Sequence, residues 1–137
     1  MQNTWTLDHV GIAVANLENA IRHYQTTTSA PLGHRETLHE QGVALAFINV
    51  PGSKIELLAP LNEQSTLRKF IQDRGPGLHH ICYRVDDIEK ELHRLSKSGY
   101  QLIDTTPRSG AGGSRIAFIH PASCAGTLTE ICEYPDT

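Results

Sequence analysis

From Val10 to Val14 every second residue is a large apolar one. In Leu7-Asp8-His9-Val10-Gly11-Ile12-Ala13-Val14, the branched residues Val10, Ile12 and Val14 alternate with smaller or polar ones, the period-two pattern of a strand with one covered face. At Leu17 the period changes, and Leu17, Ile21 and Tyr24 fall at helical spacing behind Asn16, a residue whose short side chain caps helix N-termini. The same passage recurs 71 positions later without a gap. Leu78-His79-His80-Ile81-Cys82-Tyr83-Arg84-Val85 alternates, Asp86-Asp87 supplies the cap, and Ile88, Leu92 and Leu95 form the helical stripe. Three strand-like runs follow each helix, at roughly 35–40, 43–49 and 54–59 and then at 101–104, 115–120 and 127–133, so each half reads βαβββ. Between the halves, segment 62–74 presents Leu67, Phe70 and Ile71 and ends at Gly75-Pro76-Gly77, which predicts a short amphipathic connecting helix. The expected fold is α+β, a single domain over 1–137. Its first module covers about 5–61, the connecting helix about 62–76 and the second module about 77–134, with helices on one face of a mostly antiparallel sheet.

Composition narrows the function. A formal charge of −3 with dispersed Lys and Arg offers no basic stripe to neutralise phosphates along a nucleic acid. Nowhere does an apolar run approach the roughly 18 residues of a membrane span, and the N-terminus lacks a basic stretch leading into one, so a cytoplasmic protein with neither nucleic acid nor membrane as partner is expected. Cys82, Cys124 and Cys132 form no C-x-x-C pair and are read as small packed thiols.

Strand parity makes chemistry visible. If Val10, Ile12 and Val14 cover the first helix, His9, Gly11 and Ala13 face the other way, a histidine beside two very small residues with room for a ligand. In the second copy His80, Cys82 and Arg84 share that face, and His79 does not. The last strands of the two halves match as well: Lys54-Ile55-Glu56-Leu57-Leu58 lies opposite Leu128-Thr129-Glu130-Ile131-Cys132, at an offset of 74, which turns Glu56 and Glu130 inward. Two inward carboxylates are costly to desolvate alone, whereas a divalent cation stabilises both and takes the imidazoles as nitrogen donors. His9, Glu56, His80 and Glu130 are therefore the expected metal ligands. Their mixed nitrogen and oxygen set suits Co²⁺, Ni²⁺, Mn²⁺ or Zn²⁺ with open positions for a chelating substrate such as a 1,3-dicarbonyl.

With these residues in place, the chain resembles the vicinal oxygen chelate superfamily, whose members pair two βαβββ modules around one metal in a cupped sheet. Within it, the likeness to the methylmalonyl-CoA epimerases is carried by Asp8-His9-Val10-Gly11-Ile12-Ala13-Val14, Glu40-Gln41-Gly42-Val43, Ile55-Glu56-Leu57-Leu58-Ala59-Pro60, Gly77-Leu78-His79-His80-Ile81, Arg84-Val85-Asp86-Asp87-Ile88 and Arg115-Ile116-Ala117-Phe118-Ile119-His120-Pro121. The resemblance implies an isomerase acting on an acyl-CoA. A proton leaves the carbon between thioester and carboxylate on one face and another returns on the opposite face. It also implies Glu40 and Glu130 as the two bases, Glu130 doubling as ligand, and a homodimer. Two alternatives share the fold, a glyoxalase I-type lactoylglutathione lyase and a small-molecule-binding or resistance protein. The His120-Pro121-Ala122-Ser123-Cys124-Ala125-Gly126 string departs from the aspartate-proline-aspartate-glycine turn of glyoxalase I, and retention of all four ligands argues against a metal-free binder. For the substrate, the backbone N–H groups of Gly110, Ala111 and Gly112 in a glycine-rich loop are candidates to bind a carboxylate or thioester oxygen. Arg84 is expected to pair either with a substrate carboxylate or with a structural acid, and His120 is read as structural.

Overall fold

The computed structural model describes residues 4–135, which form two compact units: residues 9–79, and residues 4–8 together with 80–135. The chain passes between them inside two strands, after Asp8 and after His79. Both units are α+β, each built on a βαβββ module as the repeat predicts.

The first unit contains most of β1 (Thr6–Ala13), then α1 (Leu17–Thr28), β2 (Leu32–Leu38), β3 (Val43–Ile48), β4 (Lys54–Pro60) and α2 (Thr66–Arg74). Its strands lie in the order β2-β3-β4-β1. Consecutive strands β2, β3 and β4 pair antiparallel through short turns, while β1, separated from β4 by a helix and a hairpin, runs parallel to it. The Asn16 side chain accepts the Asn19 N–H at 2.9 Å and so begins α1 where the cap signal predicts. The helix lays Leu17, Ala20, Ile21 and Tyr24 over Ala46, Ile48 and Leu57, with Ile12, Val14 and Ile55 around them. Ile48 and Leu57 are fully out of water, each such burial being worth about 1.5–3 kcal/mol.

The second unit repeats this with β5 (Gly77–Arg84), α3 (Ile88–Lys97), β6 (Arg108–Ser109), β7 (Arg115–Ile119) and β8 (Thr129–Glu133), ordered β5-β8-β7-β6 with β5 and β8 parallel. Asp87 caps α3 by accepting the Lys90 N–H, and Ile88, Leu92 and Leu95 pack on Ala117, Ile119 and Ile131.

Three features differ from the expected layout. The strand expected at 101–104 is reduced to a single bridge from Leu102 to Ile119, and the named strand lies at Arg108–Ser109. There the Asp104 side chain takes the Phe118 N–H at 2.8 Å, in place of a backbone carbonyl, and Pro107 has no N–H to give. The connecting helix begins at Thr66, because Ser65 caps it through the Leu67 N–H. Residues 4–8 belong with the second unit, since the Trp5 indole donates to Glu91 Oε1 at 2.6 Å on α3 and its ring meets Tyr83 at 5.7 Å. Among the described residues no helix is long and apolar enough to cross a membrane.

Candidate metal centre and active site

In the first unit, β1 presents His9 and its parallel neighbour β4 presents Glu56, whose Cα lies opposite Gly11. His9 Nε2 stands 3.2 Å from Glu56 Oε1. The second unit repeats the arrangement: Glu130 on β8 lies opposite Cys82 on β5, and His80 Nε2 is 3.1 Å from Glu130 Oε1. All four side chains are buried, at 4–6 % exposure, far enough from water that an ionised carboxylate requires a compensating positive charge. Each pair offers a nitrogen and an oxygen donor to a metal ion. That donor chemistry suits a divalent first-row cation, with the imidazoles neutral and the carboxylates charged.

An aromatic ring stands beside each pair, a feature the reading of ligand strands alone does not reveal. Phe47 on β3 lies directly across from Glu56, and its ring meets the His9 imidazole edge to face at 5.4 Å. Phe118 on β7 lies across from Glu130 and meets His80 in the same manner at 5.8 Å. The signal was present in the sequence, because Phe47 and Phe118 stand at the same offset of 71 as His9 and His80. The offset grows to 74 at the glutamates because the second hairpin is longer: nine positions separate Phe47 from Glu56 and twelve separate Phe118 from Glu130. Each ring also carries a cation, the Lys54 ammonium at 5.0 Å from the Phe47 centroid and the Arg108 guanidinium at 5.4 Å from that of Phe118.

The other expected site residues are placed differently. Glu40 is exposed in the turn from β2 to β3, where Gln41 and Gly42 donate back to Leu38 and His39, and it is not among the carboxylates gathered at a histidine. In the glycine loop the Gly110 N–H is already donated to Ser114 O at 2.9 Å. A Cβ on Gly110 would lie 2.6 Å from Ile116 Cγ2, so this glycine is required for close packing. Ala111 and Gly112 lie further out along the loop. Arg84 is exposed, with its guanidinium 4.9 Å from the Tyr134 ring centroid. The Tyr134 hydroxyl donates to Asp8 Oδ2 at 2.8 Å. Burial, and then this hydrogen bond and the Asp8 charge, push the Tyr134 hydroxyl well above its ordinary pKa. Cys82 and Cys132 are free buried thiols on adjacent strands, and burial raises the Cys82 pKa strongly. His79 packs its ring on Phe70 at 4.8 Å, and His120 Nδ1 accepts the Ala122 N–H. A cavity of about 780 Å³ in the second unit is lined by Trp5, Ile81, Tyr83, Ile119 and Thr129. These include the opposite-parity neighbours of His80 and Glu130, so the cavity opens on the helix side of the sheet and not on the histidine–glutamate pair.

Comparison with known proteins agrees with this geometry. Residues 8–118 match the model of the Glyoxalase/Bleomycin resistance protein/Dioxygenase superfamily. The chain is 41% identical over 127 residues to the uncharacterized protein YqjC of Bacillus subtilis, covering 93% of this chain and 91% of that one. It is 39% identical to the ethylmalonyl-CoA/methylmalonyl-CoA epimerase of Cereibacter sphaeroides, over 91% of this chain and 95% of the relative. A solved methylmalonyl-CoA epimerase in complex with methylmalonyl-CoA and NH₄⁺ superposes with a TM-score of 0.92 at 32% identity, covering 96% of each chain. By sequence, fold and the doubled histidine–glutamate pair, the chain belongs to the glyoxalase/bleomycin resistance protein/dioxygenase superfamily, alongside the methylmalonyl-CoA epimerases.

Proposed function

We propose that this chain is a metal-dependent epimerase interconverting the 2-epimers of methylmalonyl-CoA, with His9, Glu56, His80 and Glu130 together holding one divalent ion, Co²⁺, Ni²⁺, Mn²⁺ or Zn²⁺. The observation that carries this reading is the duplicated, buried histidine–glutamate pair, each backed by a phenylalanine, in a chain 39% identical to a named epimerase across 95% of its length. When bound, the ion supplies Lewis acidity to the substrate oxygens and so lowers the cost of charge developing there. The chain's own residues supply the proton traffic. Glu130 takes the C2 proton from one face as the C–H electron pair passes into the thioester carbonyl, and Glu40 returns a proton to the other face; the reverse epimerisation exchanges these roles. Burial keeps Glu130 out of contact with bulk water, whereas the Glu40 carboxylate is exposed to it. Phe47 and Phe118 restrict water around the reacting carbon and hold the imidazole planes. The backbone N–H groups of the loop at Ala111 and Gly112, and the exposed Arg84, add substrate contacts, and the working unit is a homodimer in the cytoplasm.

The deciding experiment follows exchange of the C2 proton of methylmalonyl-CoA for deuterium by NMR in D₂O, with Co²⁺-loaded and EDTA-stripped protein side by side. Metal-dependent exchange with loss of stereochemical purity is expected. Absence of exchange by a fully loaded protein overturns the reading, and turnover of methylglyoxal-glutathione hemithioacetal in its place assigns a lactoylglutathione lyase.

A further inference from the structure

The epimerase reading leaves open which side chain helps hold the free carboxylate that many acyl-CoA thioesters lack. We infer that Arg108 is the side chain that pairs with the free carboxylate of the substrate, beside the ligand set. The inference rests on that reading and names its specificity group.

Three contacts hold Arg108 in place. The Phe118 N–H fixes Asp104 Oδ2 at 2.8 Å, Asp104 Oδ2 in turn pairs with Arg108 Nε at 3.4 Å, and the Phe118 ring supports the guanidinium plane at 5.4 Å. One residue therefore supplies both the ring beneath the guanidinium and the amide that anchors its counterion. The opposite side of the same relationship is the ligand pair, because the Phe118 ring meets His80 edge to face and its backbone lies across from Glu130. The side chain is 47 % exposed although supported on two sides, so donors remain for a partner from solution. A guanidinium offers five N–H donors in a rigid fork, and one carboxylate through Nε does not use them. Bidentate recognition of a second, incoming carboxylate is what that fork suits.

Two other arginines of the second unit are tied to acids. Arg115 is tied to Glu89 and Glu133 at 3.2 Å, and Arg94 to Glu91 beside the Trp5 ring. Arg84 lies over Tyr134, four strand positions beyond His80 on β5, roughly 13 Å along the chain, with the buried thiol of Cys82 in between. In the first unit the equivalent ring carries Lys54, a point charge without the fork. Arg108 thus reaches a ligand-pair ring, and it immediately precedes the loop at 109–113.

The test compares two thioesters on metal-loaded protein: methylmalonyl-CoA, by kcat and KM, and propionyl-CoA, which lacks the carboxylate, by calorimetric Kd. Arg108→Gln is expected to raise KM for methylmalonyl-CoA on the order of 10- to 100-fold, the loss of a charge-assisted contact. The propionyl-CoA Kd should stay within about twofold, and Arg108→Lys should recover part of the KM. Arg108→Gln acts on an exposed side chain, and its circular dichroism and melting temperature are checked beside the wild type. Equal weakening toward both thioesters overturns the inference and assigns Arg108 to the phosphates of CoA; no weakening toward either also overturns it. So does a carboxylate-selective loss that appears in Arg84→Gln and not in Arg108→Gln. Wild-type protein inert toward methylmalonyl-CoA is a separate result: it overturns the epimerase reading before any variant is made, and the inference falls with it.

Discussion

His80 Nε2 lies 3.1 Å from Glu130 Oε1, and one module earlier His9 Nε2 lies 3.2 Å from Glu56 Oε1. A nitrogen and a carboxylate oxygen held this close in a buried setting are poised to share a cation. Glu130→Gln is expected to weaken retention of Co²⁺ by at least about tenfold, with loss of turnover, because the amide keeps the shape and removes the charge. Metal content by mass spectrometry after equilibrium dialysis checks this. Full metal occupancy in both Glu130→Gln and Glu56→Gln would remove these residues from the ligand set.

Glu40 is the proposed base that is not also a proposed ligand, so its substitution tells proton transfer apart from metal binding. It stands exposed in the turn between β2 and β3, so Glu40→Gln should leave metal content and melting temperature unchanged while lowering kcat by about 10²- to 10⁴-fold, the usual range for a general base. Undiminished deuterium exchange in Glu40→Gln would show that another group returns the proton.

Glu91 ties the N-terminal segment to α3. Burial works against its ionisation, but hydrogen bonds from Arg94 and from Trp5 outweigh it and hold the carboxyl below the ordinary value of 4.5. The folded pKa is thus lower than the unfolded one, so the stabilisation is complete above about pH 4.5 and fades as pH falls through the depressed folded value. Trp5 is the sole tryptophan, and its fluorescence reports unfolding at this contact. Glu91→Gln should be less stable than wild type by about 1 kcal/mol at neutral pH, the difference between a charged and a neutral hydrogen bond, with the gap closing in acid. Denaturant titrations from pH 7 to pH 3 measure it, and a gap independent of pH would contradict the assignment.

Gly110 is a packing requirement. Its φ is not in the left-handed region, yet a methyl group there would meet Ile116 Cγ2 at 2.6 Å and Ser114 Oγ at 2.8 Å. Gly110→Ala should therefore cost about 1–3 kcal/mol as the loop shifts to relieve the overlap. Thermal unfolding checks this, and a melting temperature equal to wild type would mean the loop yields freely.

The sequence by itself determined the doubled module, the three helices and the face on which His9, Glu56, His80 and Glu130 lie, because these depend on periodicity and caps within a dozen residues. Asn16 and Asp87 begin α1 and α3 as the cap signals require, and strand parity turns the histidines away from Ile12 and Ile81. Tertiary structure alone decided what stands next to what. Parity assigns a side chain to a face without naming its neighbour across the ladder, so the Phe47–Glu56 and Phe118–Glu130 registers, the seat of Arg108 on Phe118 and the engagement of the Gly110 amide by Ser114 emerge only once the strands are paired. The Trp5–Glu91 hydrogen bond spans 86 positions and is fixed by packing between segments whose local patterns carry no reference to each other.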